Sequence, residues 1–151
     1  MFKLSTKVRY GMRAMIRIVS SEKGKGAVSL NEVSREENIS LKYLEGIVGL
    51  LKKNGLVASV KGPKGGYVIA RPKDKISLLD IARALEGEVN FVDCCGEDFD
   101  CERKKICTTY ETWYELSSML QKQMESIKLS ELVKKAENSQ QKAESKRKKG
   151  L

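Results

Sequence analysis

The residues that could do chemistry are gathered in one short stretch. Cys94, Cys95, Cys101 and Cys107, the four cysteines of a 151-residue chain, fall within 14 residues, and random placement would rarely cluster them so. Thiolates are soft ligands that hold iron–sulfur clusters, and a loop with spread cysteines can wrap one face of a cluster. Paired thiols can also oxidise reversibly, which makes a switch without metal. Structural zinc fits less well, because its cysteine pairs usually stand roughly two to four residues apart. Asp93, Glu97, Asp98, Asp100 and Glu102 are uncomfortable neighbours for an anionic cluster, and Arg103, Lys104 and Lys105 partly offset them. Histidine is absent, which removes the commonest general base and a frequent metal ligand at once. With no phosphate loop and no paired-carboxylate pattern, the chain does not read as an enzyme.

Charge says where a partner would sit. The net charge is +9, but residues 1–75 hold 16 Lys and Arg against 6 Asp and Glu. Residues 76–127 hold 5 against 11, and residues 128–151 hold 8 against 3. A basic first half on an acidic second half points to a polyanion partner for the first half only. No apolar run approaches the roughly 18 residues needed to cross a bilayer. Met1-Phe2-Lys3-Leu4-Ser5 lacks a signal-peptide core, so the expected address is the reducing cytoplasm, with no membrane partner.

The elements that would position these groups follow from periodicity. Val8, Met12, Met15 and Val19 mark one face of a first helix from about Thr6 to Ser21, and Arg9, Arg13 and Arg17 form a second stripe. That stripe is either a solvated face or a surface near phosphates. Glu22 to Gly26 reads as a loop. Ser29 caps a short helix with Glu32 three residues on, and Ser40 caps a third, Leu41 to about Lys53. A short helix, a tight turn and a longer capped helix make the helix-turn-helix pattern. Leu56–Val60 and Tyr67–Ala70 are strands around Lys61-Gly62-Pro63-Lys64-Gly65-Gly66, a wing whose backbone could approach phosphates closely.

Ser77 caps a fourth helix carrying Leu78, Ile81, Ala82 and Leu85, and residues 90–107 read as an irregular acidic loop. A long helix follows from about Ile106 to Ser126. Its Trp113, Leu116, Leu120, Met124 and Ile127 leave an apolar face that suits burial against a symmetry mate. Leu129 to Val133 adds a helical turn or two, and the lysine-rich chain from Asn138 reads as disordered. The expected fold is mainly α with a small β-hairpin, a winged helix-turn-helix domain plus a long dimerisation helix. Its parts are a DNA-binding domain at 1–88, a cysteine loop at 89–108, a dimerisation region at 109–137 and a basic disordered tail at 138–151.

The run Ile39-Ser40-Leu41-Lys42-Tyr43-Leu44-Glu45, then Leu50 to Val57, then Lys61-Gly62-Pro63-Lys64-Gly65-Gly66-Tyr67, closely resembles the IscR/NsrR-type regulators, as does the opening Leu4 to Tyr10. The resemblance spans roughly residues 1 to 135. It implies a homodimer on double-stranded DNA, the third helix in the major groove and the wing in the neighbouring minor groove. On the matching positions Ser40, Lys42 and Glu45 would face DNA from the helix and Lys61, Gly62 and Pro63 from the wing, with Tyr43 and Lys64 counted beside them. Ser40 at a helix N-terminus suits a phosphate, and Glu45 can accept from a cytosine amino group.

Cys95-x5-Cys101-x5-Cys107 has the spacing of the cluster-binding cysteines in the IscR-type regulators. The resemblance therefore implies a 2Fe–2S or 4Fe–4S cluster on these three thiols. Where IscR members carry a ligating histidine this chain has Tyr110, and where NsrR-like members use an aspartate it has Arg9. The fourth ligand is unassigned, with Cys94, Glu97, Tyr110 or an exogenous molecule as candidates. The function this implies is a DNA-binding transcriptional regulator, a repressor by expectation, sensing iron–sulfur, redox or nitric oxide status without a small-molecule substrate. A cluster-free thiol regulator is the alternative.

Overall fold

Four serines start the first four helices. The computed structural model describes residues 4–149, apart from the side chains at 22–25 and 146–149. Ser5 caps α1 (Thr6–Lys25), its hydroxyl accepting from the Val8 amide at 3.4 Å. Ser29 caps α2 (Leu30–Glu37) through the Glu32 amide at 3.2 Å, which is the serine half of the expected box. Ser40 caps α3 (Leu41–Lys53) through the Tyr43 amide at 3.4 Å. Ser77 and Asp80 cap α4 (Leu78–Glu86) reciprocally: the serine hydroxyl accepts the Asp80 amide at 3.0 Å, and the carboxylate accepts the Ser77 amide at 2.8 Å. Each such cap satisfies an amide the helix cannot, worth about 1 kcal/mol.

The wing is a two-stranded antiparallel hairpin, β1 (Val57–Val60) and β2 (Gly66–Ile69), with Val57 opposite Ile69 and Val60 opposite Gly66. Its root is wider than sequence suggests. Val28, just before α2, donates to the Tyr67 carbonyl at 3.1 Å and accepts from the Tyr67 amide at 2.8 Å. Gly66 passes this bridge with φ +154°, and a Cβ there would collide with the Val28 carbonyl.

After α4, a loop carrying one 3-10 turn (Asp93–Cys95) leads to α5 (Tyr110–Ser126) and α6 (Leu129–Lys149). The corner between the last two helices is pinned back on the winged domain: Leu78 donates to the Ile127 carbonyl at 2.9 Å and Leu129 donates to the Ile76 carbonyl at 2.8 Å. Met124, Leu129 and Val133 accordingly join one core with Val8, Met15, Ile18, Leu44, Leu51 and Ile81. Among the described residues no helix is long and apolar enough to cross a membrane.

Three expectations are corrected. α1 runs through the glycine-bearing segment at 22–25 and ends only at Gly26, whose φ is +79°. α5 starts at Tyr110 rather than Ile106, because Ile106 closes a turn by donating to the Arg103 carbonyl at 3.0 Å. The segment from Asn138 is helical to Lys149 rather than disordered. Its Ala, Glu, Gln and Lys are good helix formers even though they offer no core, and residues 150–151 lie outside the described residues.

The Val28–Gly66 contact generates a prediction. Gly66→Ala should lower the thermal midpoint by roughly 5 °C, since both the backbone angle and the Val28 carbonyl oppose a side chain. An unchanged midpoint would contradict the tight root.

Candidate nucleic-acid interface and cysteine loop

Helix α3 has two faces. Leu44, Ile47, Val48 and Leu51 are buried, whereas Ser40, Lys42, Tyr43, Glu45, Gly46, Gly49, Lys52 and Lys53 are exposed. The steps from Lys42 through Glu45 and Gly46 to Gly49 and Lys53 follow one side of the helix. Gly46 and Gly49 were not legible as functional from their type alone. Each costs a helix interior about 1 kcal/mol against alanine, yet beyond the adjoining backbone of α3 neither has an atom within 4 Å of where a Cβ would stand. Packing therefore does not require them, and their effect is a bare strip of backbone on the exposed face.

The wing tip lies beyond α3, with Lys61, Gly62, Pro63 and Lys64 all exposed. Gly65 closes it, its amide donating to the Gly62 carbonyl at 2.9 Å. The two parts are fastened together. Lys52 donates to the Ser59 hydroxyl at 2.9 Å, and Arg71 donates to the Gly55 and Asn54 carbonyls at 3.1 and 3.2 Å. All eight residues expected to face DNA thus lie on exposed surface of α3 or the wing. Of the arginine stripe on α1, Arg13 and Arg17 are paired with α2 acids rather than left free, and Arg9 donates to the Thr6 hydroxyl at 3.1 Å.

The cysteine loop hangs from a polar base. Glu88 accepts the Glu97 amide at 2.9 Å and the Asn90 side chain at 3.0 Å. Ser117 of α5, 2% exposed, accepts the Phe91 amide at 3.0 Å. Gln121 donates to the Val89 carbonyl at 2.9 Å and accepts from Arg83 of α4 at 3.1 Å. A cleft of about 230 Å³ opens above this base, with Cys95, Lys104, Tyr110 and Ser117 on its walls. The Lys104 ammonium sits 5.0 Å from the Tyr110 ring centroid, and that hydrogen-bonded neighbour holds it charged.

Cys94, Cys95 and Cys101 are half-buried and Cys107 is exposed, all four as free thiols. Among the described residues no three His, Cys, Asp or Glu side chains are gathered to hold a metal ion. The structure therefore does not bring Cys95, Cys101 and Cys107 together as a preformed set. The donor chemistry fits an iron–sulfur cluster, since the three thiols are evenly spread along an irregular loop that the core does not hold. Burial first, and then the neighbouring Cys94, push the Cys95 thiol above its ordinary value. Hydrogen bonds from the Thr109 hydroxyl and amide pull Cys107 below it.

The model of the Rrf2 family, described as an iron-dependent transcriptional regulator, matches residues 4–135. The HTH-type transcriptional regulator IscR of Sodalis glossinidius is 38% identical over 135 residues, which cover 89% of this chain and 81% of that protein. The structure of CymR, the global cysteine regulator of B. subtilis, superposes with a TM-score of 0.71 at 34% identity, over 89% of this chain and 98% of that one. T. potens IscR superposes at 0.70 and 34% identity, over 92% of this chain and 91% of its own.

The thiol environments predict an order of reactivity in metal-free protein. At neutral pH iodoacetamide should modify Cys107 faster than Cys95, because the lowered group carries more thiolate and the raised one less. The Cys107 rate should reach its plateau at lower pH than the Cys95 rate. Equal rates and a shared midpoint, read by peptide mass spectrometry, would contradict the assigned environments.

Proposed function

The chain belongs to the Rrf2 family of transcriptional regulators, and from that premise we propose that it reads duplex DNA as a cytoplasmic homodimer and senses through its cysteine loop. The observation that carries the reading is the exposed α3 face and the lysine-bearing wing tip, fastened together on the basic half of the chain. Ser40, Lys42, Tyr43 and Glu45 would meet the major groove, and Lys61, Gly62, Pro63 and Lys64 the neighbouring minor groove. Gly46 and Gly49 would let the helix backbone approach the groove wall. Trp113, Tyr114, Leu116 and Met119 leave the first half of α5 exposed and apolar, which supports pairing with a second copy.

Cys95, Cys101 and Cys107 are the residues that would hold an iron–sulfur cluster. Such a group, when bound, supplies sensitivity to iron, oxidants or nitric oxide. The chain's own part is to carry a change in the loop toward α3. Gln121 ties the loop base to Arg83 of α4, and the Asn54 side-chain amide at the end of α3 donates to the Ala84 carbonyl of α4 at 3.3 Å. A loop that rearranges can therefore act on α4 and on the seat of the recognition helix. The alternative is a thiol regulator without a cluster. The absence, among the described residues, of a gathered set of three metal ligands and the likeness to a global cysteine regulator favour keeping it.

Two experiments separate these statements. Gly46→Ala and Gly49→Ala should each raise the thermal midpoint by a few degrees while weakening duplex binding about tenfold or more. Unchanged affinity in both variants would remove α3 from the groove. For the loop, protein purified without oxygen should absorb broadly near the 400 nm region, roughly, with matching iron and sulfide, and Cys101→Ala should lose the band. A colourless wild-type protein after anaerobic reconstitution would leave the thiol reading.

A further inference from the structure

Helix α2 ends on two acids, Glu36 and Glu37. The carbonyl end of a helix already carries partial negative charge, so acids there are unfavourable unless paired. Two arginines of α1 pair them. Arg13 Nε donates to a Glu37 carboxylate oxygen at 2.9 Å, and its Nη2 donates to the Glu37 backbone carbonyl, one of the end carbonyls of α2. Arg17 donates to the other carboxylate oxygen at 3.1 and 3.0 Å, and its Nε lies 3.0 Å from Glu36. Only 15% of the Glu37 side chain is exposed, so water screens this pairing less than it would at an open surface.

The same Arg13 guanidinium lies 5.3 Å from the Tyr10 ring centroid. Tyr10 in turn meets Tyr43 edge to face, centroids 5.9 Å apart and planes at 84°. Tyr43 stands in the first turn of α3, and between it and Glu37 runs the turn of the helix-turn-helix, with Asn38 left-handed at φ +51°. Glu37, Arg13, Tyr10 and Tyr43 thus form an arch, the acid before the turn joined to the ring after it through α1.

We infer that Arg13 and Tyr10 are positioning residues for DNA reading, holding Tyr43 and the pitch of α3 through this arch without having to touch a base. The inference rests on α3 being the recognition helix. It differs from the simpler use of an α1 arginine as a phosphate contact, because Nε and Nη2 of Arg13 already donate to Glu37. It also makes an acid useful on a DNA-facing half, where charge alone would make it a hindrance.

The test uses the full chain and a duplex that it selects from a random-sequence pool, with an unrelated duplex of equal length as control. Affinities for both are measured across a salt series for wild type, Glu37→Gln, Arg13→Lys and Tyr10→Leu. Each variant should weaken the selected duplex about tenfold, leave the unrelated duplex within about twofold, and keep the salt slope. Equal weakening of both duplexes with a shallower slope would make Arg13 a phosphate contact and overturn the arch. Tightening of both by Glu37→Gln would do the same, since it is what charge alone predicts. In free protein the variants should exchange the amides of residues 38–43 several-fold faster, and unchanged exchange would also overturn it. A wild type that selects no sequence at all fails the recognition-helix reading itself, and the arch's role with it.

Discussion

The burial of helix α1 is the constraint on which the other elements rest. Val8, Ala14, Met15 and Ile18 have no exposed surface, and α3, α4, α6 and β2 all pack against this helix. Sinking a valine, methionine or isoleucine side chain contributes roughly 1.5–3 kcal/mol, so few alternative arrangements of the surrounding elements would compete. Gly11 sits where Leu85 of α4 approaches α1 too closely for any side chain without a shift of the leucine. The opposite side of α1 carries Arg13 and Arg17, which hold the end of α2. One helix therefore seats α3 from behind and secures the turn that precedes it.

From this seat outward the structure divides by how firmly it is held. The exposed face of α3 and the wing are tied to each other through Lys52 and Arg71, and the wing is tied to the core through the Val28 bridge. The cysteine loop is held at its base through Glu88, Ser117 and Gln121, and Cys107 at its far end is exposed. Phe99 and Ile106 in that loop are exposed apolar residues that no core claims. A surface that must match a duplex gains by being rigid before contact, because ordering it on contact would subtract from affinity. A segment that responds to chemistry gains by the opposite, since a change in ligation or oxidation must move something.

Much of this was legible in the sequence, and for local reasons. Ser29, Ser40 and Ser77 announce helix starts because a short hydroxyl side chain satisfies a first-turn amide within three residues. Lys61 to Gly66 announces a hairpin tip because its glycines and proline have few other uses together. The apolar face of α5 was readable by periodicity, although its second half, at Met124, turned out to belong to the core. What escaped was non-local or dependent on surroundings. The Val28 pairing with Tyr67 joins residues far apart in sequence. The arginine stripe of α1 looks the same whether it faces phosphate or two acids from another helix. Gly46 and Gly49 gained meaning only once the space around them was seen to be empty. Composition misjudged the chain beyond Asn138, because it measures the capacity to form a core and not the capacity to form a helix.

The most direct test of the account is hydroxyl-radical footprinting of the protein with and without bound duplex, read by mass spectrometry. Tyr43 is 39% exposed in the free chain and Phe99 and Ile106 are 47% and 71% exposed, so all three label readily at the start. Protection of Tyr43 and of the wing tip at Pro63 on adding duplex, with Phe99 and Ile106 labelled as before, is the predicted result. Protection confined to the cysteine loop, with Tyr43 and Pro63 unchanged, would contradict the assignment of α3 and the wing as the reading surface.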